Sequence, residues 1–305
     1  MNFQRTLAAS VTCSGIGLHS GSKVVVAIHP APANHGIVFV RTDIVGRQRV
    51  RASANNVGGT SFATTLIGEG FIIGTVEHLM ATFNGHGIDN ATVEVNGDEL
   101  PIMDGSAAAF NYLIESAGIA EQQAPRKYIQ ILKPIIVNEG DKKAALLPAD
   151  GMAVTYEISF PHPMIKTQRF DIVISPESFS SELAQSRTFG FLADVNMMRQ
   201  AGLANGGSLE NAIVIGNYSV LNKGGLRYPD EFVRHKVLDA LGDLYLAGCP
   251  ILGRFHAVKS GHALNHKLVT RLLEEKKSWR LVEGRPRRER VAEQPQIAQM
   301  AAKTI

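Results

Sequence analysis

The stretch EFVRHKVLDALGDLYLAG, residues 231–248, constrains the fold more than any other part of the chain. Val233, Leu238, Leu241, Leu244 and Tyr245 recur at helical spacing and predict a long helix over 231–247 with mostly dry surroundings. His235, Asp239 and Asp243 recur every fourth residue, so they stack on one face of that helix. Carboxylates carried into an apolar environment need partners, because an unpaired buried charge is costly. Two readings stay open for the stripe: a solvated polar face, or a site where His235 and Asp239 share a metal ion and Asp243 orients a neighbour.

A second segment supplies a neighbour of the right chemistry. In TVEHLMATFNGHG, Val76, Leu79, Met80 and Phe83 fall at i, i+3, i+4 and i+7, which reads as a helix ended by Gly85 and Gly87. Adjacent helical residues point about 100° apart, so His78 could reach a metal while Glu77 addresses a water beside it. The pair is not an HExxH motif, and taken alone it reads first as a chance helix dipeptide. His78, His235 and Asp239 together make three ligands with one position open. That is the count of a catalytic zinc site, although iron or cobalt suits the same donors.

Other segments carry weaker signals. In KSGHALN, His262 opens a helix after Gly261 and could act as an acid held by Asp243, or could simply cap or pack. In SRTFGF, the Thr188 hydroxyl could serve a developing oxyanion, or could belong to an ordinary strand. GLHSG and PIMDGSA read as tight turns, with His19 and Asp104 structural first.

The rest of the pattern indicates an α+β fold. KVVVAIH, GIVFV, SFATTLI (61–67) and ATVEVNG read as strands, and SAAAFNYLIESAG as a helix with Ser106 as N-cap. Residues 121–126, EQQAPR, read as a linker. KYIQILKPIIV, KAALLP, MAVTYEISF and QRFDIVI follow as strands, Ser175-Pro176 as a helix start, and 263–275 as a further helix. Both halves therefore run strands first and helices after, which favours α+β over alternating βαβ units. The expected division is an N-terminal α+β domain over 1–122 and a C-terminal one over 127–282. The second would carry a small insertion near 196–216, and 283–305 would form a disordered tail.

Composition narrows the classes of function. The net charge of +3 is mostly the tail's, with five basic against three acidic residues from Glu283 onward, so a nucleic-acid partner is not expected. Cys13 and Cys249 form no metal-binding spacing. Neither a signal segment nor a run of about 20 apolar residues is seen, so a cytoplasmic chain without a membrane span is expected.

GIGLHSG, TVEHLMA, GIDN, PIMDGSA, SRTFGF, EFVRHKVLDALGDL and KSGHALN, in that order over about residues 2–280, resemble the UDP-3-O-acyl-N-acetylglucosamine deacetylases. These are the zinc enzymes of the committed step of lipid A synthesis in Gram-negative bacteria. The resemblance implies one Zn2+ per chain, held by His78, His235 and Asp239, with Glu77 as the base that activates a water. It implies His262 as acid or electrostatic stabiliser, Asp243 as its orienting partner and Thr188 as oxyanion donor. Lys236, Phe189, Lys259 and Phe160 would touch an acylated UDP-N-acetylglucosamine. Two domains of like topology would flank the site, and the insertion would form an apolar passage for the acyl chain. A monomer with at most peripheral membrane contact is expected. Some members carry a cysteine in the strand before TVEH; here SFATTL has none, so no thiol role is carried over. Two rival readings keep the residues but change the use: another acylated amino sugar as substrate, or a non-catalytic sugar-nucleotide sensor. A sensor would need no general base, so the presence of Glu77, His262 and Thr188 argues against the second.

Overall fold

Val24, Val26 and Ile28 alternate with more exposed residues along the strand Lys23–Pro30, and that two-residue period builds the first sheet. In the computed structural model, which describes residues 2–284, the sheet has five strands. Their order is Val11–Ile16, Lys23–Pro30, Ala91–Val95, Ile37–Arg41 and Arg49–Arg51. A seven-stranded sheet follows in the second half of the chain, centred on Ile251–Val258. That strand pairs with Lys142–Leu147 on one side, and in parallel with Met152–Phe160 and Lys127–Ile131. The architecture is α+β.

The helices are α1 (Glu77–His86), α2 (Ala108–Ala117), the single turn α3 (Pro176–Ser178), α4 (Leu192–Gln200), α5 (Glu231–Tyr245) and α6 (His262–Glu274). None among the described residues is long and apolar enough to cross a membrane. Gly87 ends α1 in the left-handed conformation, at φ 72°. Ser175 caps α3 by accepting the Ser178 N–H at 3.1 Å, with Pro176 at the first helical position.

Several sequence expectations need correction. Residues 121–126 are not a linker. They lie mostly within the strand Ile119–Pro125, whose backbone pairs antiparallel with Phe3–Leu7. A polar strand that is half solvated looks like a linker in composition, and only its pairing distinguishes it. In SFATTLI only the end joins a strand, Thr65–Gly68. Gly85 lies inside α1, where the ring of Phe179 takes the place a side chain would occupy. The N-cap position of α2 is Ala107, although the Ser106 hydroxyl still accepts the Ala108 N–H at 3.1 Å. KYIQILKPIIV breaks into Lys127–Ile131 and Ile135–Glu139 around Pro134. The expected insertion begins earlier than 196: the strand Phe189–Phe191 leads into α4 and then pairs in parallel with Ile213–Ile215. Of the tail expected to be disordered, Glu283 closes the strand Trp279–Glu283 and the Gly284 N–H donates to the Arg126 carbonyl at 2.9 Å, while 285–305 lie outside the described residues.

The buried apolar side chains form two clusters, one around Phe39, Leu79 and Phe83, the other around Tyr156, Phe232 and Phe255. Helices α1 and α5 lie where the clusters meet, and each contributes across the boundary. Ala81 of α1 belongs to the second cluster, and Tyr245 of α5 to the first. The two helices approach closely because Gly242 has no side chain. A Cβ there would sit 2.1 Å from the carbonyl oxygen of Glu77. Asn84 Nδ2 donates to the Leu241 carbonyl at 2.9 Å and fixes the register of the crossing.

Gly242→Ala should therefore lower stability by about 1–3 kcal/mol, the usual cost of overpacking a close-packed interior. Urea unfolding measures it, with Gly224→Ala, which meets open space, as the neutral control.

Candidate metal centre

The contact between α1 and α5 places two pairs of functional side chains face to face. From α1 come Glu77 and His78; from α5, His235 and Asp239, one helical turn apart. Asp239 Oδ1 lies 3.3 Å from His235 Nε2 and 3.5 Å from His78 Nε2. Donor atoms of all three buried residues fall within 4.8 Å of one another. The His235 and His78 rings meet edge to face at 5.1 Å. His235 Nδ1 lies 3.0 Å from the Ser186 carbonyl, which can only accept. Nδ1 therefore carries the proton, and the Nε2 lone pair faces the centre.

Charge is distributed to suit a cation. Burial drives the His235 pKa down to about 3, against the pull of Asp239, so the ring is neutral. Burial also opposes ionisation of Asp239, but Lys236 and its neighbours His78 and His262 hold its carboxyl well below the usual range. Lys236 Nζ donates to Asp239 Oδ2 at 2.6 Å, which leaves Oδ1 for the two histidines. Two imidazole nitrogens and one carboxylate, gathered in a dry setting, fit a divalent ion of the zinc class.

Beside this triad stands a second network. His262, the first residue of α6, lies with Nδ1 2.9 Å from Asp243 Oδ2, one further turn along the stripe of α5. Its Nε2 lies 3.9 Å from both Glu77 Oε1 and Asp239 Oδ2. Burial alone would lower the His262 pKa, but Asp243, Glu77 and Asp239 outweigh it and raise it to about 9. The Glu77 carboxyl is pushed up, chiefly by burial. Among the described residues, Glu77, Asp239 and His262 also form a second group whose donor atoms could meet one ion.

Two members of this network are not among the candidate residues drawn from the sequence. Asn265 donates to Asp243 Oδ2 at 2.9 Å. Thr64 donates its hydroxyl to Asp243 Oδ1 at 2.6 Å, and its N–H to Glu77 Oε2 at 3.0 Å. Asn265 could have been found as the residue one turn after His262; Thr64 sits in an irregular stretch with no period to read.

A cavity of about 920 Å3 opens next to the centre, lined mainly by apolar side chains including Phe160, Phe189, Leu192, Met197 and Leu209. Thr188 and Lys236 also line it. It abuts the centre through Phe189, whose ring lies 6.4 Å from that of His235. The Phe160 ring packs on Phe189 at 6.0 Å. Thr188 is held from both sides. Its N–H donates to the Gly105 carbonyl at 2.7 Å, and its carbonyl accepts the Ile213 N–H at 2.8 Å. Lys259 is not part of this lining; its Nζ pairs with the exposed carboxylate of Asp141 at 2.6 Å. Asp104 is structural in this arrangement, accepting from Ser106 and from Arg227. His19 is more than a turn residue: it lines the cavity, and both ring nitrogens are buried without a hydrogen-bond partner among the described residues.

Residues 4–274 match the family model described as UDP-3-O-acyl N-acetylglycosamine deacetylase. A UDP-3-O-acyl-N-acetylglucosamine deacetylase of Myxococcus xanthus is 51% identical over 284 residues, spanning 93% of this chain and 90% of that protein. One from Saccharophagus degradans is 48% identical over 281 residues, spanning 92% and 93%. One from a Shewanella species is 51% identical over 285 residues, also spanning 92% and 93%.

Because the folded pKa of His262 is raised, its protonation stabilises the folded chain fully below about pH 6.5, the ordinary histidine value. That contribution is lost as the pH rises through about 9. A side-chain NMR titration of the metal-free protein should place the His262 midpoint near 9, and Asp243→Asn should bring it down. A midpoint at the ordinary value in the unmutated chain would contradict the charge assignment.

Proposed function

From the chain's membership of the UDP-3-O-acyl-N-acetylglucosamine deacetylase family, we propose that it hydrolyses the N-acetyl group of UDP-3-O-acyl-N-acetylglucosamine with one Zn2+ per chain. Acetate and UDP-3-O-acyl-glucosamine are the products, in the committed step of lipid A biosynthesis. The chain is an amidohydrolase by family, and the observation that carries the finer reading is the meeting of His78, His235 and Asp239 beside Glu77 and His262.

His78, His235 and Asp239 would hold the metal. The ion would supply Lewis acidity, making a water easier to deprotonate and the acetamide carbonyl more electrophilic. Glu77 takes the proton from the attacking water at Oε1, since Oε2 is engaged by the Thr64 N–H. Thr188, which lines the cavity, donates its hydroxyl to the developing oxyanion. His262 presents Nε2 toward Glu77 and Asp239, either as the acid that protonates the leaving amine when the C–N bond breaks, or as a cation that stabilises charge while Glu77 passes the water's proton to that amine. Asp243 holds that imidazolium in place through Nδ1.

The neighbouring cavity suits the acyl chain, since its lining is largely apolar and it is bounded by α4 and the paired strands around it. Lys236, Phe189 and Phe160 line that cavity and would contact the substrate. Lys259 would have to leave Asp141 to join them. The reading includes two α+β units, over 1–122 and 127–282, supported by the two buried clusters. It also includes a cytoplasmic monomer without nucleic-acid partners.

The test is acetate release from the acylated sugar nucleotide, paired with metal analysis. Glu77→Ala should lower kcat by roughly 10²–10⁴-fold with metal retained. The His78→Ala, Asp239→Ala double variant should lose the metal. Full turnover by the first, or normal metal content in the second, would refute the roles assigned. Equal turnover of the sugar nucleotide with and without its acyl chain would instead favour a different acylated substrate.

A further inference from the structure

We infer that Thr64 is a positioning residue, which ties the base Glu77 to the Asp243–His262 pair and holds the two in fixed relation. Thr64 is 2% exposed and lies just ahead of the strand Thr65–Gly68. Its backbone serves α1 twice: the N–H donates to Glu77 Oε2 at 3.0 Å, and the carbonyl accepts the Val76 N–H at 3.2 Å. Its side chain serves α5, donating to Asp243 Oδ1 at 2.6 Å. Among the described residues, Thr64 alone hydrogen-bonds both carboxylates.

The hydroxyl completes a set. Asp243 Oδ2 accepts from His262 Nδ1 and Asn265 Nδ2, each at 2.9 Å, and Oδ1 accepts from Thr64. With donors on both oxygens, the carboxylate plane cannot swing. His262 Nδ1 is also 3.3 Å from Thr64 Oγ1, so the ring is boxed between the two. Without the hydroxyl, Oδ1 would be a buried acceptor lacking a partner, and the carboxylate would rotate to recover one. The imidazole would turn with it, moving Nε2 away from Glu77 and the reacting centre. Small misplacements of this kind lower the rate of the chemical step more than substrate binding.

This inference rests on the deacetylase reading for its kinetic arm, and a second arm is independent of it. Thr64→Val keeps the shape and the N–H to Glu77 but removes the hydroxyl. It should lower kcat about 10–100-fold, equivalent to about 1.4–2.7 kcal/mol at about 1.36 kcal/mol per tenfold, with KM and metal content within twofold of the starting protein. Thr64→Ser should restore most of the rate. Added to Asp243→Asn, Thr64→Val should change kcat less than twofold, because the two act through one contact. A raised KM with unchanged kcat, no rescue by serine, or additive losses would overturn the proposal. Independently of any turnover, the His262 Nδ1–H resonance should exchange with water faster in Thr64→Val than in the unmutated chain, and equal exchange would overturn it. Failure of the unmutated chain to release acetate would count against the deacetylase reading, while the exchange measurement still decides the role of Thr64.

Discussion

The structure depends on the contact of α1 with α5 at Gly242. There the backbone of one helix lies against the Glu77 carbonyl with no side chain between. The closeness has a functional consequence. Imidazole and carboxylate side chains reach only a few ångströms from their backbones, so three donors from two helices can gather within 4.8 Å only if those helices nearly touch. A methyl group at the crossing would part them and open the centre. The apolar clusters on either side hold the helices in that contact, with Ala81 and Tyr245 crossing the boundary between them.

Packing at this density carries three carboxylates, Glu77, Asp239 and Asp243, into a dry interior. Each is matched in a different way. Asp239 has Lys236 on one oxygen and two imidazoles near the other. Asp243 has three hydrogen-bond donors. Glu77 has one backbone N–H, with the nearest cationic nitrogen 3.9 Å away, and its carboxyl is pushed up by burial. The least satisfied carboxylate is the one assigned to move a proton. That is the expected order, because a fully bonded carboxylate is a weak base, whereas one kept short of partners is poised to accept a proton.

What could be read from the chain follows from how local each signal is. The stripe of α5 was legible because a period of four needs only one helix to reveal it, and α1 was legible for the same reason. Their meeting is not, since nothing in either helix says that it packs on the other; only the likeness of the assembled segments to a family brings the two together. Half-exposed polar strands such as Ile119–Pro125 were misread because pairing with Phe3–Leu7 leaves no trace in composition. His19 looked like a turn residue because the surrounding glycines dominate the local pattern, while its position in the cavity is set by distant chain. Thr64 was invisible, as a threonine in an irregular stretch has no period to betray it.

The helical rise also separates the tasks along α5. Four residues advance a helix by about 6 Å. His235 and Asp239 are one such step apart and converge on a single point, whereas Asp243, a step farther, cannot reach that point and instead meets His262 from the start of α6. One rigid rod therefore carries two of the three proposed metal ligands and the carboxylate that meets His262, and fixes the spacing of His235, Asp239 and Asp243. Glu77, from the opposing helix, faces the gap between the two stations, with Asp239 and His262 as its neighbours. Glu77, the carboxylate proposed to handle the proton, is thus placed by the helix crossing, while His235, Asp239 and Asp243 are placed by the helix pitch. A loosening of the crossing would move Glu77 and His78 away from α5 before it disturbed the spacing of His235, Asp239 and Asp243, which are ruled by a single backbone.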